Sequence, residues 1–273
     1  MSNMHFTKMV ASGNDFVVIE SSQKPGAMSH ESLAKKICDR KYGIGADGLL
    51  VLEKSKIADI KMRIFNSDGS EPKMCGNGAR CVALFIGVER ESRQSAKLKI
   101  ETKAGIIKAE VNKDNVKIKL TDPKGLKLDM PIRLNRTLKV NFINTGVPHA
   151  VIFVEGLDKI DAVSLGRQIR YHKKFRPAGA NADFVEVVNN NTIKIRTYER
   201  GVEDETLACG TGAVASALLY AIRYTLSAIH KIKVVTKSKE ILKVYFNKIN
   251  NKFTDVWLEG KARIVHKGCW CDE

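Results

Sequence analysis

The chain has 273 residues, with 46 lysines and arginines against 30 aspartates and glutamates, so its formal net charge at pH 7 is +16. Its hydrophobic fraction of 44% is that of a chain with a buried core, which excludes a wholly disordered protein. The longest apolar run, 82–88, falls far short of the roughly 20 residues that span a bilayer, and the first residues lack the apolar stretch of a secretory leader. We therefore expect a cytoplasmic protein without a membrane partner.

The predicted elements form two series, each a set of strands around one helix. Alternating or β-branched runs predict strands of the first series at 15–20, 49–53, 62–66, 97–102, 106–111 and 116–120. The second series has predicted strands at 139–144, 149–154, 183–188, 192–198, 232–236, 241–246 and 256–265. Small and apolar residues on most faces predict helices buried inside a sheet or barrel at 76–88 and 210–226.

An internal repeat relates the two series. Residues 75–84 match 209–218 at an offset of 134, and the same offset carries 98–103 onto 232–237. Before the cysteines the offset is 133, which carries 13–19 onto 146–152 and 63–66 onto 196–199. One added residue within 201–205 explains the change of offset.

The repeat predicts an α/β (α+β) fold of two pseudo-symmetric homologous domains, 1–124 and 125–273. The C-terminal strand is a candidate to join the sheet of the first domain. Each domain is expected to be a mostly antiparallel sheet or barrel wrapped around a central helix. Prolines and glycines within 122–137 mark the junction between the two.

Each predicted helix begins at a cysteine within a Cys-Gly-x-Gly motif, at 75–78 and at 209–212. The free amide hydrogens and the dipole of a helix N-terminus favour negative charge, which predicts a lowered pKa for Cys75 and Cys209. The flanking glycines let backbone amides approach a carboxylate closely. The alternative is a pair of buried structural cysteines, which is common for free thiols.

Pseudo-symmetry predicts that the two thiols face each other across a cleft. One thiolate would then remove a proton from a carbon while the opposite thiol delivers one, which inverts a stereocentre. The amides at the two helix ends would stabilise negative charge developing on an adjacent carboxylate.

The motifs resemble those of the diaminopimelate epimerase family along nearly the whole chain. The matching blocks are 13–16, 43–48, 63–70, 74–81, 144–149, 198–201 and 205–213. The resemblance implies interconversion of LL- and meso-2,6-diaminopimelate, without pyridoxal phosphate or metal, on the route to lysine and peptidoglycan. It also implies a homodimer.

The resemblance assigns roles to individual residues. It implies catalysis by Cys75 and Cys209, with His149 and Glu199 beside them. The implied carboxylate cradles are Gly76, Asn77, Gly210 and Thr211. The implied substrate-binding residues are Asn14, Asn66, Asn181, Glu199 and Arg200.

Three features of the chain depart from the family pattern. Val147 stands where many members have asparagine, and Gly48 stands where some have glutamine. The residue added within 201–205 lies close to Arg200. The changes at Val147 and Gly48 leave the proposed proton transfers in place but could loosen the grip on the distal end of the substrate.

Two rival functions fit parts of the sequence. A proline-racemase-like enzyme would share the cysteine pair, but here Asn77 stands where that family has histidine, and Glu199 and Arg200 suit a second zwitterionic end. A nucleic-acid-binding protein would explain the basic charge. Against it, the lysines are spread along the chain and the aromatic residues are not clustered with them.

No cofactor is predicted, because the chain has no glycine-rich nucleotide motif in a βαβ setting. No metal site is predicted either, because Cys269-x-Cys271 lacks a second pair at zinc-like spacing.

Overall fold

The computed structural model describes residues 2–23, 28–90, 95–224 and 231–272. The helices are α1 (His30–Cys38), α2 (Gly76–Phe85), α3 (Ala162–Arg170) and α4 (Gly210–Arg223). The strands up to residue 133 are β1 (Ser2–Ala11), β2 (Asn14–Glu20), β3 (Gly48–Glu53), β4 (Ile60–Asn66), β5 (Ser95–Thr102), β6 (Gly105–Asn112), β7 (Asn115–Lys119) and β8 (Lys124–Arg133). The later strands are β9 (Thr137–Asn144), β10 (Pro148–Phe153), β11 (Asn181–Asn189), β12 (Thr192–Glu199), β13 (Asp204–Thr206), β14 (Lys231–Val235), β15 (Ile241–Ile249), β16 (Lys252–Lys261) and β17 (Arg263–Asp272).

The chain divides into two compact units, one formed by residues 1–118 with 260–273 and the other by residues 119–259. The boundary thus lies at 118/119, a few residues before the junction that the sequence suggested. The C-terminal segment belongs to the first unit because β17 pairs with β1 in antiparallel register along most of both strands.

In the first unit the strands follow the order β17–β1–β2–β3–β4–β5–β6–β7, with parallel pairs only at β2–β3 and β4–β5. In the second the order is β8–β9–β10–β11–β12–β14–β15–β16, with parallel pairs only at β10–β11 and β12–β14. Strand for strand the two orders correspond, and β17 takes the place that β8 has in the second unit. The predicted fold class is confirmed.

A buried helix lies at the centre of each unit. α2 contacts β1, β2, β4, β5, β6 and β17, while α4 contacts β9, β10, β11, β12, β14 and β15. Residues 77–84 of α2 and 212–221 of α4 are buried without interruption. Their small side chains let strands approach from several sides, as the composition of both segments predicted.

The outer helices complete the cores. α1 packs Leu33, Ala34 and Ile37 against β3 and β4 in the first unit. α3 packs Ala162 and Ile169 into the apolar core of the second unit. Within the described residues, no helix is long and apolar enough to cross a membrane.

The repeat also carries a matched ion-pair cluster. Arg63 holds Glu71 through two hydrogen bonds of 2.8 and 3.0 Å, and Arg196 holds Glu205 through two of 2.6 and 2.9 Å. A lysine joins each glutamate, Lys103 in the first unit and Lys237 in the second. Bidentate pairs of this kind fix the loop that leads from a strand to the cysteine.

Three sequence predictions of element boundaries are corrected. The single strand predicted over 256–265 is two strands, which are separated at the buried Ala262, whose amide donates to the carbonyl of Asp114. The first predicted helix ends at Phe85 and continues as a π-helical turn, Ile86–Arg90. The second ends at Arg223, and residues 225–226 lie outside the described part of the chain.

Candidate active site

Cys75 is the N-cap residue of α2. Its backbone is extended (φ −137°, ψ 122°), and its Sγ accepts a hydrogen bond of 3.5 Å from the amide of Gly78. The side chain is partly exposed. The predicted placement of a thiol on the amide groups of a helix N-terminus is therefore seen directly in the first unit.

Asn77, two residues further on, is held from inside the protein. Its Oδ1 accepts a 2.7 Å hydrogen bond from the guanidinium of Arg80, which also donates to Ser12. Arg80 is completely buried, so Asn77 has a fixed orientation at the start of the helix. The backbone amides of Gly76 and Asn77 lie in the first turn, where a helix has no internal acceptors for them.

Cys209 is the N-cap residue of α4 and is only 7% exposed. Burial raises the pKa of its thiol well above the ordinary value, and the nearby carboxylates of Glu199 and Asp183 raise it further. The hydroxyl of Thr211 and the amide of Gly212 act in the opposite direction without overcoming burial. The predicted lowering of the pKa is therefore wrong for Cys209, because burial outweighs the effect of the helix N-terminus.

Glu199 lies at the end of β12, within hydrogen-bonding reach of Cys209. Its Oε2 accepts a 2.9 Å hydrogen bond from the hydroxyl of Thr206. Burial raises the pKa of this carboxyl above its ordinary value. The second unit thus places a carboxyl group of raised pKa beside a thiol of raised pKa, an arrangement typical of sites that move protons.

His149, on β10, is fully buried at the same end of α4. Its Nδ1 lies 2.7 Å from Oδ2 of Asp183, and its Nε2 lies 3.0 Å from Oγ1 of Thr211. Thr211 Oγ1 in turn lies 3.5 Å from Sγ of Cys209. A continuous chain of hydrogen bonds therefore joins the buried carboxylate to the thiol.

The side chain of Asn181 contacts the backbone of Arg200. Oδ1 of Asn181 accepts a 2.7 Å hydrogen bond from the amide of Arg200, and its Nδ2 donates to the carbonyl of Pro148. The guanidinium of Arg200 donates one long bond of 3.4 Å, to the carbonyl of Ala178. Asn181 is buried and fixes the start of the loop after β12, while the Arg200 side chain is half-buried.

Asn14 and Asn66 belong to the first unit. Asn14 begins β2 after Ser12 and Gly13, both with positive φ, and its Oδ1 is buried without a hydrogen-bond partner among the described residues. Asn66 ends β4, is exposed, and donates a 2.9 Å hydrogen bond to Ser70. Asn14 therefore has an unused acceptor, whereas the amide nitrogen of Asn66 is already engaged.

The structure gives a reason for glycine at position 48. Gly48 pairs with Asn66 in the antiparallel β3–β4 ladder, and a Cβ built on it would lie 2.7 Å from the carbonyl oxygen of Phe65. A glutamine at this position would require β4 to move. Glycine at position 48 therefore has a role in the packing of β3 against β4, besides removing the contact that a glutamine would make with substrate.

Sequence reasoning missed Asp183 and Thr197, both buried beside His149. Thr197 donates a 2.7 Å hydrogen bond to Oδ1 of Asp183. The repeat contained a signal for them, because an offset of 133 sets these polar residues opposite the apolar Leu50 and Ile64. Within the described part of the chain, no three His, Cys, Asp or Glu side chains converge as a metal site would require.

Comparison with known proteins finds sequence similarity along nearly the whole chain. The diaminopimelate epimerase family profile matches residues 6–125 and 141–265. A diaminopimelate epimerase of Aquifex aeolicus (strain VF5) is 43% identical over 99% of each chain. One of Methanocella arvoryzae is 40% identical over 98% of this chain and 97% of its own.

More distant solved structures share the fold. A phenazine biosynthesis protein of the PhzF family from Bacillus anthracis superposes with a TM-score of 0.77 at 19% identity, covering 100% of both chains. A hydroxyproline epimerase from Agrobacterium vitis does so with a TM-score of 0.71 at 15% identity, covering 99% of this chain and 91% of its own. At these identities the likeness is one of fold.

Proposed function

Because the chain belongs to the diaminopimelate epimerase family, it is an isomerase of the epimerase class, and we propose that Cys75 and Cys209 carry out its two proton transfers on 2,6-diaminopimelate. The observation that carries this proposal is the placement of both cysteines as N-cap residues of the two buried helices. Each thiol thus lies beside backbone amides that favour negative charge.

In the proposed reaction one sulfur takes the α-proton of the LL form and the other returns a proton to the opposite face, which yields the meso form. Negative charge develops on the α-carboxylate as the proton leaves. In this proposal the amides of Gly76 and Asn77, or of Gly210 and Thr211, stabilise that charge. The two cysteines exchange roles in the reverse direction, as microscopic reversibility requires.

The remaining polar groups would bind the two zwitterionic ends of the substrate. The unused Oδ1 of Asn14 suits an ammonium hydrogen, and the guanidinium of Arg200 suits a carboxylate. Glu199 offers a second acceptor for an ammonium group. We further propose that the enzyme works in the cytoplasm as a homodimer, on the route to lysine and peptidoglycan, with no nucleic-acid partner.

The direct test is incubation with LL-diaminopimelate in deuterated water. We expect formation of the meso form with deuterium at the inverted α-carbon. Cys75→Ala and Cys209→Ala should each abolish inversion while the circular dichroism spectrum stays that of the wild type. Cys269→Ala, at an exposed position of β17, is the matched control and should react normally.

The alternative substrate is proline or a related amino acid. If proline turned over as fast as diaminopimelate, the proline-racemase-like function would replace the one proposed. A substrate that lacks the distal amino-acid group should react more slowly by a factor on the order of 10⁴, because polar groups built for that end would remain unpaired.

A further inference from the structure

The loop that carries Arg200 is tied to α3 by an ion pair. Oε1 of Glu203 accepts hydrogen bonds from Nε of Arg170, at 3.0 Å, and from the amide of Gly201, at 3.1 Å. Nη2 of Arg170 lies 3.0 Å from the same oxygen. The side chains of Arg170 and Glu203 are 14% and 34% exposed, so water screens this pair less than it would at an open surface.

Glu203 has a backbone conformation that residues other than glycine rarely adopt. Its φ is 59°, in the left-handed region, and its amide donates a 2.8 Å hydrogen bond to the carbonyl of Glu199. Strain of this kind persists only where the surrounding contacts impose it, and it is common at binding sites. Here it closes the turn in which one carboxylate oxygen reaches both Gly201 and Arg170.

The first unit shows that the fold does not require this ion pair. α1 connects β2 to β3 and α3 connects the equivalent strands β10 and β11, but α1 ends at the buried Cys38 where α3 ends at Arg170. The loop after β4 is closed by its own side chains, since Oδ1 of Asp68 accepts from the amide and the hydroxyl of Ser70, at 2.8 and 2.6 Å. Of these two fully described loops, only the one that carries an arginine is tied to its helix by an ion pair.

The arginine of α3 and the arginine of the loop share an acceptor. Nη1 of Arg170 and Nη1 of Arg200 both donate to the carbonyl of Ala178, at 3.2 and 3.4 Å. A Cβ at Gly179 would overlap the guanidinium of Arg170, so glycine lets this segment lie directly against that side chain. Two positive charges on one oxygen repel each other, and the carboxylate of Glu203 offsets the charge of Arg170.

The guanidinium of Arg200 is held in place and yet remains available. Within the described part of the chain it has no carboxylate partner, and its hydrogen bond to Ala178 is long. Its backbone is fixed by Asn181, whose Oδ1 accepts from the Arg200 amide at 2.7 Å. A side chain that is ordered before binding loses less conformational entropy when it binds, which favours affinity for a carboxylate.

We propose that Arg170 and Glu203 are positioning residues, which hold the guanidinium of Arg200 in place for the distal carboxylate of the substrate. The inference rests on the proposed role of Arg200 in binding that carboxylate. Without Glu203, the uncompensated charge of Arg170 repels Arg200 from their shared acceptor. Without Arg170, the carboxylate of Glu203 is free to form an ion pair with Arg200 instead.

Glu203→Gln and Arg170→Gln test the two partners separately, with circular dichroism to confirm that each variant is folded. We expect KM for LL-diaminopimelate to rise about tenfold in each and kcat to stay within about twofold of wild type, because binding is weakened while the chemistry at the α-carbon is not. A loss of kcat at unchanged KM would overturn the proposal. Since the substitutions remove opposite partners, failure of one variant to fold leaves the other to decide.

An Arg200→Gln background shows whether the two residues act through Arg200. In that background neither substitution should raise KM further, because the group that they position is already gone. A further rise of about tenfold would mean that they act independently of Arg200, and the inference would be refuted.

Glu259→Gln is the matched control, because it removes the 2.6 Å ion pair with Lys243 between β15 and β16 of the same unit. Its KM and kcat should equal those of the wild type. If Glu259→Gln raised KM as much as Glu203→Gln does, the effect would come from a general loss of ion pairing and not from the position of Arg200.

Titration calorimetry with pimelate provides a measurement without turnover, because this dicarboxylate has the carbon chain of diaminopimelate but no amino groups. We expect its Kd to rise about tenfold in Glu203→Gln and to stay at the wild-type value in Glu259→Gln. An unchanged Kd in Glu203→Gln would contradict the inference. If pimelate binding responds as expected while the wild type does not epimerise LL-diaminopimelate, the proposed function fails and the positioning of Arg200 stands.

Discussion

Replacing Gly212 by alanine tests whether the carboxylate of Asp183 is packed as tightly as the structure shows. The new Cβ would lie 2.4 Å from Oδ1 of Asp183, closer than non-bonded atoms tolerate. Asp183 cannot move away easily, because His149 and Thr197 hold its two oxygens at 2.7 Å each. The matched variant is Gly78→Ala, whose Cβ would come closest to the flexible end of Leu50, at 3.0 Å, with Ile64 at an ordinary 3.6 Å.

The expected magnitudes follow from these contacts. Alanine in place of glycine in a helix gains roughly 1 kcal/mol. At Gly212 this gain is outweighed by about 1–3 kcal/mol of overpacking and a further ~2 kcal/mol for weakened hydrogen bonds to a charged group. Gly212→Ala should therefore lower the free energy of unfolding by about 3 kcal/mol. In Gly78→Ala the gain in helix propensity nearly offsets the cost of overpacking, so its free energy of unfolding should stay within about 1 kcal/mol of the wild-type value.

Urea denaturation followed by circular dichroism measures both variants, and comparison of their m-values shows whether the transition stays two-state. Equal stability of the two alanine variants would refute the reasoning, since it would mean that the carboxylate is free to rearrange.

The remaining predictions concern pH, redox state and cofactors. Hydrogen bonds from Arg63 lower the pKa of Glu71 to about 2, so the ion pair stabilises the fold above the ordinary carboxyl pKa and loses that contribution as the pH falls towards 2. In urea titrations, Glu71→Gln should therefore be less stable than the wild type at pH 7 and equally stable in strong acid. The raised pKa of Glu199 has the opposite effect on stability. As the pH rises from the ordinary carboxyl pKa of 4.5 through the raised pKa, the wild type should lose stability relative to Glu199→Gln. A difference in Tm between the two proteins that does not change with pH would contradict this. If Cys75 and Cys209 act on one carbon, mild oxidation without substrate should link them in a disulfide. Dithiothreitol should then restore activity, and substrate should slow the loss of activity. Peptide mapping that finds both thiols free in oxidised, inactive enzyme would exclude the facing arrangement. Epimerase activity should survive chelators and hydroxylamine, whereas loss on dialysis with recovery on adding pyridoxal phosphate would contradict a cofactor-free reaction.

The sequence predicted the elements whose patterns are regular. The buried helices and most of the strands next to them were found because their apolar residues are continuous or alternate. β1, which contacts α2, was not predicted. β8 was missed because Gly125 and Pro131 look like linker residues. It pairs only with β9 in the second unit and with irregular register, and an edge strand tolerates proline.

The site shows a similar limit. Motif positions located Cys75, Cys209 and His149, but helix-end reasoning gave the wrong direction for the pKa of Cys209 because burial cannot be read from a Cys-Gly-x-Gly motif. α1 and α3 were missed because each is a short amphipathic segment of nine residues whose stability comes from packing. Asp183 lies within a predicted strand, where a buried carboxylate is unexpected without knowledge of its partner.

The pairing of β17 with β1 has a consequence for the order of assembly during synthesis. Residues 119–259 form a continuous unit that can fold as soon as it leaves the ribosome. The unit that contains Cys75 cannot close its sheet until residues 263–272 have emerged, although most of its chain is made first. The unit whose chain is synthesised first is thus completed last. One edge of β1 stays unpaired while the rest of the protein is translated.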